Sequence, residues 1–223
     1  NRIDTPLSDY LGLMEGVLPN LMWLPYHIHH SDDDRNEAIH PDDIATRHLA
    51  TLQKRWPGRY RFDYDRVTGN FHALPTDGVK PIIEWMAEQR RVVHPREVVW
   101  ETWWPWKTEM YWLHHDAPKD AWRFHARIEG EEFSNHVSVD ATTKMVQGRT
   151  EPESLELTLL LSRELFDLDR PVKVTCGDAT LFEGVVKRTL WPVTASAGRR
   201  NDAVRWFEGA VTVTVPRRQW KDL

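Results

Sequence analysis

The hydrophobic pattern of this chain changes its period once, near residue 95, and this change constrains the fold more than any other feature. Before it, apolar residues recur at helical spacing between short strand-like runs; after it, they alternate by two to the end of the chain. The sequence therefore predicts two domains, residues 1–95 and 96–223, joined near His94 and Pro95. A chain of 223 residues is long enough for two such domains, since one domain commonly takes roughly 100 to 200 residues.

The first domain has the pattern of alternating strands and helices. Residues 21–30 predict a strand, and Pro41 followed by two aspartates predicts a helix start, because proline and carboxylates both suit a first helical turn. A second strand is expected at 60–64. A second helix is expected over 77–91, where apolar residues fall at i, i+3, i+4 and i+7. Strand, helix, strand, helix is the order of an α/β fold.

The second domain alternates apolar and polar residues in short segments. Three of these segments are Trp122–Ile128, Leu155–Leu161 and Val211–Val215, and turn residues such as Gly130 and Gly177 lie between segments. Several short strands with turns at this spacing predict an all-β antiparallel sandwich of roughly 120 residues.

Composition excludes several classes of protein. The net charge is −5, from 29 basic and 34 acidic residues, so no global basic face for nucleic acid is expected. No apolar run approaches the roughly 20 residues of a membrane span. Cys176 is the only cysteine, which excludes an intrachain disulfide and a cysteine-based zinc or redox site, and assigns no cellular compartment.

The densest polar cluster, HIHHSDDD, occupies residues 27–34 and ends the first predicted strand. Ligands and catalytic groups in α/β sheets lie at the carboxyl ends of strands. An isolated acidic turn is most simply a solvated turn. Here, however, one helix and one strand are followed by a glycine-containing loop, Gly69–His72, that delivers a histidine. Acid, helix, strand, histidine is the order in which an α/β-hydrolase presents its last two triad residues.

The resemblance to the α/β-hydrolase family becomes specific at these segments. Tyr26–Asp34 resembles the family's acid turn, H-G-x-x-D, with Ser31 in place of the glycine and Asp34 as the aspartate. Val67–His72 resembles its histidine loop, and Gly78–Arg91 its closing helix. The likeness covers about residues 20–95. With the sandwich that follows, the chain resembles the C-terminal half of bacterial esterase or peptidase-like α/β-hydrolases that carry an appended β-domain.

This resemblance implies a serine hydrolase acting on small ester or peptide substrates, without a cofactor or a metal. His72 would exchange the proton and Asp34 would fix the tautomer of its ring. The sequence has no G-x-S-x-G; the nearest segment, Thr194–Gly198, lacks the first glycine. In the family the nucleophile precedes the acid. The resemblance therefore implies a partner, an N-terminal hydrolase half on a separate chain or in removed sequence; the other possibility is an inactive relic.

A metal-dependent hydrolase is one alternative. His27 and His29 alternate along a predicted strand, and imidazoles in this pattern can bind zinc, with Asp32 or Asp34 as a third ligand. The competing interpretation is that these are hydrogen-bonded strand histidines.

A binding module is the other alternative, based on five tryptophans near the start of the second domain. Exposed indoles can stack on sugars or grip a partner protein, because they bury a large area with few rotatable bonds. The packing interpretation, which we favour, is that they cover the joint between the two domains. These residues are Trp100, Trp103, Trp104, Trp106 and Trp112.

Overall fold

The computed structural model of the chain divides into two compact units, Asn1–Val92 and Val93–Leu223. The boundary lies beside the change in hydrophobic period. The structure describes residues 18–35, 40–73, 75, 78–102, 106–116, 121–132, 134–144, 153–194 and 206–219.

The described part of the first unit contains two strands and two α-helices in alternation, after a 3₁₀ helix at Leu18–Leu21. Strand β1 (Tyr26–Ser31) is followed by helix α1 (His40–Arg55), strand β2 (Phe62–Val67) and helix α2 (Lys80–Glu88). The two strands pair in parallel, with His27 opposite Asp63 and Ser31 opposite Val67. Because they are parallel, the loops after β1 and β2 emerge at the same edge of this small sheet.

The two helices of the first unit differ in how they use their apolar residues. Helix α1 buries the stripe formed by Ile44, Leu49 and Leu52, as an amphipathic helix that covers a core should. Helix α2 has no buried residue. The side chains of Ile83 and Met86 on it are 57% and 60% exposed, so an apolar surface of the first unit faces solvent.

Within its described residues, the second unit forms two sheets that share one core. The first sheet has the strand order β10-β9-β7-β6-β3, with β12 beside β7, and the second has the order β11-β8-β5-β4. Trp100 and Phe124 from the first sheet belong to the same buried cluster as Leu157 and Val213 from the second. The strands are β3 (Glu97–Thr102), β4 (Glu109–Met110), β5 (Leu113–His114), β6 (Ala121–Glu129), β7 (His136–Lys144), β8 (Ser154–Leu161), β9 (Val172–Cys176), β10 (Ala179–Gly184), β11 (Gly209–Pro216) and β12 (Arg218–Gln219).

The predicted fold class, an α/β-hydrolase sheet followed by an antiparallel sandwich, is wrong. The part of the chain that the structure describes is mostly β, with about 40% of its residues in strands that form three sheets and about 20% in helices. It shows no helix-rich layering of the α/β-hydrolase kind. In the first unit the described strands form only a two-stranded sheet. A local period of apolar residues identifies a helix or a strand, but it does not determine how many strands join one sheet.

The second unit is also not purely antiparallel. Strand β7 pairs in parallel with both β9 and β12. The strand between β7 and β9 in the chain, β8, belongs to the opposite sheet. The chain therefore crosses to the other sheet and returns, and β9 lies beside β7 in the same direction.

The predicted strand at 60–64 is displaced by the conformation of one residue. Tyr60 adopts a left-handed backbone conformation with φ 51°, which does not continue a strand. Its ring is fully buried, and its hydroxyl donates to the Pro19 carbonyl oxygen at 2.9 Å. The strand therefore begins two residues later, at Phe62.

Candidate functional site

The two residues predicted to form a catalytic pair are in direct contact. The Nδ1 atom of His72 lies 2.7 Å from Oδ2 of Asp34, a hydrogen bond in which the ring nitrogen donates and the carboxylate accepts. The Asp34 side chain is only 8% exposed, whereas that of His72 is 58% exposed. Asp34 follows β1 and His72 follows β2, so the parallel pairing of these strands brings the two loops together.

The histidine loop is attached to the acid turn by a second aspartate. Backbone N–H groups of Gly69 and Phe71 donate to Oδ1 of Asp33 at 3.1 and 3.3 Å. The Ser31 hydroxyl donates to the same carboxylate and accepts the N–H of Asn70 at 3.3 Å. The Ser31 hydroxyl, followed by these amides, lowers the pKa of Asp33, because each donor stabilises the ionised form.

The backbone of this loop is strained. Gly69 and Phe71 both have positive φ values, 84° and 50°, and for a residue with a side chain this conformation is uncommon. Asn70 is buried and its side-chain amide donates to the Ala73 carbonyl oxygen at 3.1 Å. The contacts of Asp33 and Asn70 hold the strained turn that carries His72. Backbone strain of this kind is often found at functional sites.

The three adjacent aspartates of the acid turn have different partners. Asp32 accepts a hydrogen bond of 2.6 Å from Nε of Arg66 on β2. Asp33 holds the histidine loop, and Asp34 contacts His72. The sequence offered three acids in a row, and the hydrogen bonds distinguish them.

The two histidines of the metal alternative lie opposite acids on the neighbouring strand. Nδ1 of His29 is 3.6 Å from the Asp65 carboxylate, and His27 lies 3.6 Å from Asp63 and 3.9 Å from Asp65. Among the described residues, no group of three or more His, Cys, Asp or Glu side chains is placed to hold a metal ion. The metal-dependent alternative therefore gains no support from the geometry.

Sequence reasoning missed the acids that face these histidines. Asp63 and Asp65 alternate along β2 as His27 and His29 do along β1, and the parallel register places each histidine opposite an aspartate. The matching alternation was the available signal. It required knowing that the two strands are neighbours in parallel register.

The tryptophans considered for binding do not form one exposed row. Trp100 and Trp112 are buried in the core of the second unit, and the Trp112 indole N–H donates to the Pro95 carbonyl oxygen at 2.7 Å. Trp106 is 68% exposed. Trp103 and Trp104 lie outside the described residues.

No protein-family model, curated protein or solved structure matches this chain. No helix in the described part of the chain is long and apolar enough to cross a membrane.

Proposed function

We propose that the first unit supplies the acid and the general base of a serine-dependent hydrolase that cleaves ester or peptide bonds. The observation that carries this proposal is the 2.7 Å hydrogen bond between Asp34 and His72. A carboxylate that is nearly buried and an imidazole that is more than half exposed are what a triad requires: one group that orients, and one group that a nucleophile and a substrate can reach.

The proposed chemistry follows from which nitrogen Asp34 holds. With the proton of His72 kept on Nδ1, the Nε2 atom takes the serine proton as the hydroxyl oxygen attacks the substrate carbonyl carbon. The imidazolium then gives this proton to the leaving alcohol or amine. A water molecule then attacks the acyl-enzyme with His72 again taking and returning the proton, which releases the carboxylic acid and restores the serine. Asp34 stabilises the imidazolium in both halves of the cycle.

The nucleophile is proposed to lie outside this sequence and to reach His72 when another segment or chain docks on the first unit. Within the described residues, β1 and β2 pair only with each other, although parallel sheets are normally buried among further elements. Helix α2 exposes Ile83 and Met86. Both features support a partner that extends this sheet and covers this helix.

Active-site labelling tests the proposal. The protein is isolated from its source cells together with any bound partner and treated with a fluorophosphonate, which reacts with activated serines. We expect a labelled serine outside these 223 residues. The variant His72→Ala should abolish the labelling while the complex stays intact by gel filtration.

Asp32→Asn is the matched control, because Asp32 belongs to the same turn but contacts Arg66. It should keep the labelling. Labelling that survives in His72→Ala, or an intact complex with no labelled serine, would contradict the proposal.

A further inference from the structure

A cavity in the second unit lies where strands β8 and β11 meet. Leu161, the last residue of β8, pairs with Gly209, the first residue of β11, and the N–H of Glu208 donates to the Leu161 carbonyl oxygen at 2.8 Å. Side chains just outside this pair, including Arg163 and Trp206, line a cavity of about 530 Å³. This volume falls within the range of small-molecule sites, roughly 300 to 1,000 Å³.

An indole is held at this cavity by its neighbour in the chain. Trp206 lines the cavity and is 55% exposed, whereas Phe207 is 2% exposed in the core. The buried phenylalanine anchors the backbone beside an exposed aromatic plane. A large aromatic ring at a concave surface is a common element of binding sites, because it offers apolar area with little loss of side-chain entropy.

The polar side of the cavity has an unsatisfied acceptor. Nε and a terminal nitrogen of Arg163 both lie 2.5 Å from Oε1 of Glu208. The other oxygen of Glu208, Oε2, is buried and has no hydrogen-bond donor among the described residues. A buried acceptor without a partner is costly. Because Oε2 is buried, a donor of a ligand reaches it only when the Glu208 side chain turns toward the cavity, and the hydrogen bond gained then favours binding.

Glu164 and Arg163 supply further polar groups to the lining, which also includes Val93, His94 and Ser162. Glu164 adds a second carboxylate, and the Arg163 guanidinium, whose side chain is 71% exposed, has N–H donors left after binding Glu208. Acceptors and donors are thus mixed around one aromatic face.

We propose that this cavity binds a carbohydrate. A pyranose ring has an apolar face of C–H groups that can stack on Trp206. Its hydroxyl groups can donate to the carboxylates of Glu164 and Glu208, and can accept from Arg163. The proposal does not depend on the hydrolase function, since the residues that form the cavity lie in the other unit. The proposed site is also distinct from the binding module considered from the sequence, because its aromatic residue is Trp206 and not one of the five tryptophans near the start of the second domain.

NMR titration of the whole chain tests the site. Maltose, cellobiose, lactose and diacetylchitobiose are each added to ¹⁵N-labelled protein, and the Trp206 indole signal is assigned from its loss in Trp206→Phe. We expect at least one disaccharide to shift this signal with a Kd of about 1 mM or tighter. Trp206→Ala and Glu208→Gln, both followed through the backbone amide of Phe207 because Trp206→Ala has lost the indole signal, should each weaken that binding about tenfold or more.

Trp106→Ala is the matched control, because Trp106 is also an exposed indole of the second unit but does not line this cavity. It should leave the Kd unchanged. If Trp206→Ala unfolds the protein, Glu208→Gln still decides, and a Kd in that variant within about two-fold of the wild type would overturn the proposal. No shift at about 20 mM of any disaccharide, an equal loss in Trp106→Ala, or a shift caused by tetramethylammonium instead of a sugar would overturn the proposal.

Discussion

Asp34 and His72 are 38 residues apart in the chain, yet their side chains are joined by a hydrogen bond of 2.7 Å. The two ends of this bond lie in different environments, because the aspartate is 8% exposed and the histidine 58%. The carboxylate is sheltered from water, which strengthens its hold on the ring. The imidazole remains within reach of a second molecule.

Asp34→Asn should change the tautomer of His72. A carboxylate can only accept a hydrogen bond, so it keeps the ring proton on Nδ1; an asparagine can present its amide N–H to Nδ1, which moves the proton to Nε2. The ¹⁵N chemical shifts of the two ring nitrogens, measured at a pH where the ring is neutral, report the tautomer. Asp32→Asn should leave the tautomer unchanged, and an Nδ1–H tautomer that persists in Asp34→Asn would show that Asp34 does not set it.

Asp33→Asn should loosen the loop that carries His72. In the folded protein, the Ser31 hydroxyl and the amides of the loop lower the pKa of Asp33. The stability that Asp33 gives to the loop is therefore present above the unfolded-state pKa of about 3.9, and it is lost as the pH falls through the folded-state value. Hydrogen exchange at the Gly69 and Phe71 amides, corrected for intrinsic rates, measures this contribution. At neutral pH the variant should exchange faster than the wild type, and at about pH 2 the difference should shrink. Equal exchange in both proteins at neutral pH would contradict this role.

The stability of the second unit should fall on mild acidification because of His115. Burial, the largest cause, lowers the pKa of this imidazole below its usual 6.5. A lowered pKa means that the unfolded chain binds the proton more readily, so stability is present above about pH 6.5 and is lost as the pH falls through the folded-state value. Tm measured between pH 7 and pH 5 should decrease less in His115→Gln than in the wild type. An identical decrease in both would exclude His115 as a source.

Trp112→Ala and Trp106→Ala should differ strongly in their effect on stability. Trp112 is 1% exposed and Trp106 is 68% exposed. Emptying the buried site should lower the free energy of unfolding by about 3 to 5 kcal/mol, whereas the exposed substitution should change it by about 0.5 kcal/mol or less. Urea unfolding followed by circular dichroism measures both. Similar effects of the two variants would mean that Trp106 has a packing role that its exposure does not indicate.

Local signals in the sequence predicted the elements of the first unit better than their assembly. Pro41 and the aspartates that follow it predict the start of α1, which begins at His40. The helical period predicts α2, which spans Lys80–Glu88 and is shorter than the predicted 77–91. The fold class was wrong because the number of strands in a sheet depends on contacts distant in sequence. The parallel pairing of β7 with β9 was not predicted for the same reason, since it also depends on contacts distant in sequence.

Only part of the candidate site could be predicted, because some of its residues lie in sequence motifs whereas others depend on contacts made only in the folded chain. The order of acid turn, helix, strand and histidine loop indicated Asp34 and His72, and they are in contact. The role of Asp33 in holding the loop depends on hydrogen bonds to the backbone of Gly69 and Phe71, which leave no pattern in the sequence. Trp206 also went unnoticed, because its exposure depends on how Phe207 packs.

The most direct test of the central claim is kcat/KM for a short-chain aryl ester, measured on the protein assembled with the proposed nucleophile-bearing segment or chain. His72→Ala should lower kcat/KM by about 10⁴-fold or more and Asp34→Asn by about 10³ to 10⁴-fold, while Asp32→Asn should cost about tenfold or less. Full activity in His72→Ala, or equal losses in Asp34→Asn and Asp32→Asn, would contradict the assignment of this pair as the acid and base of a serine hydrolase.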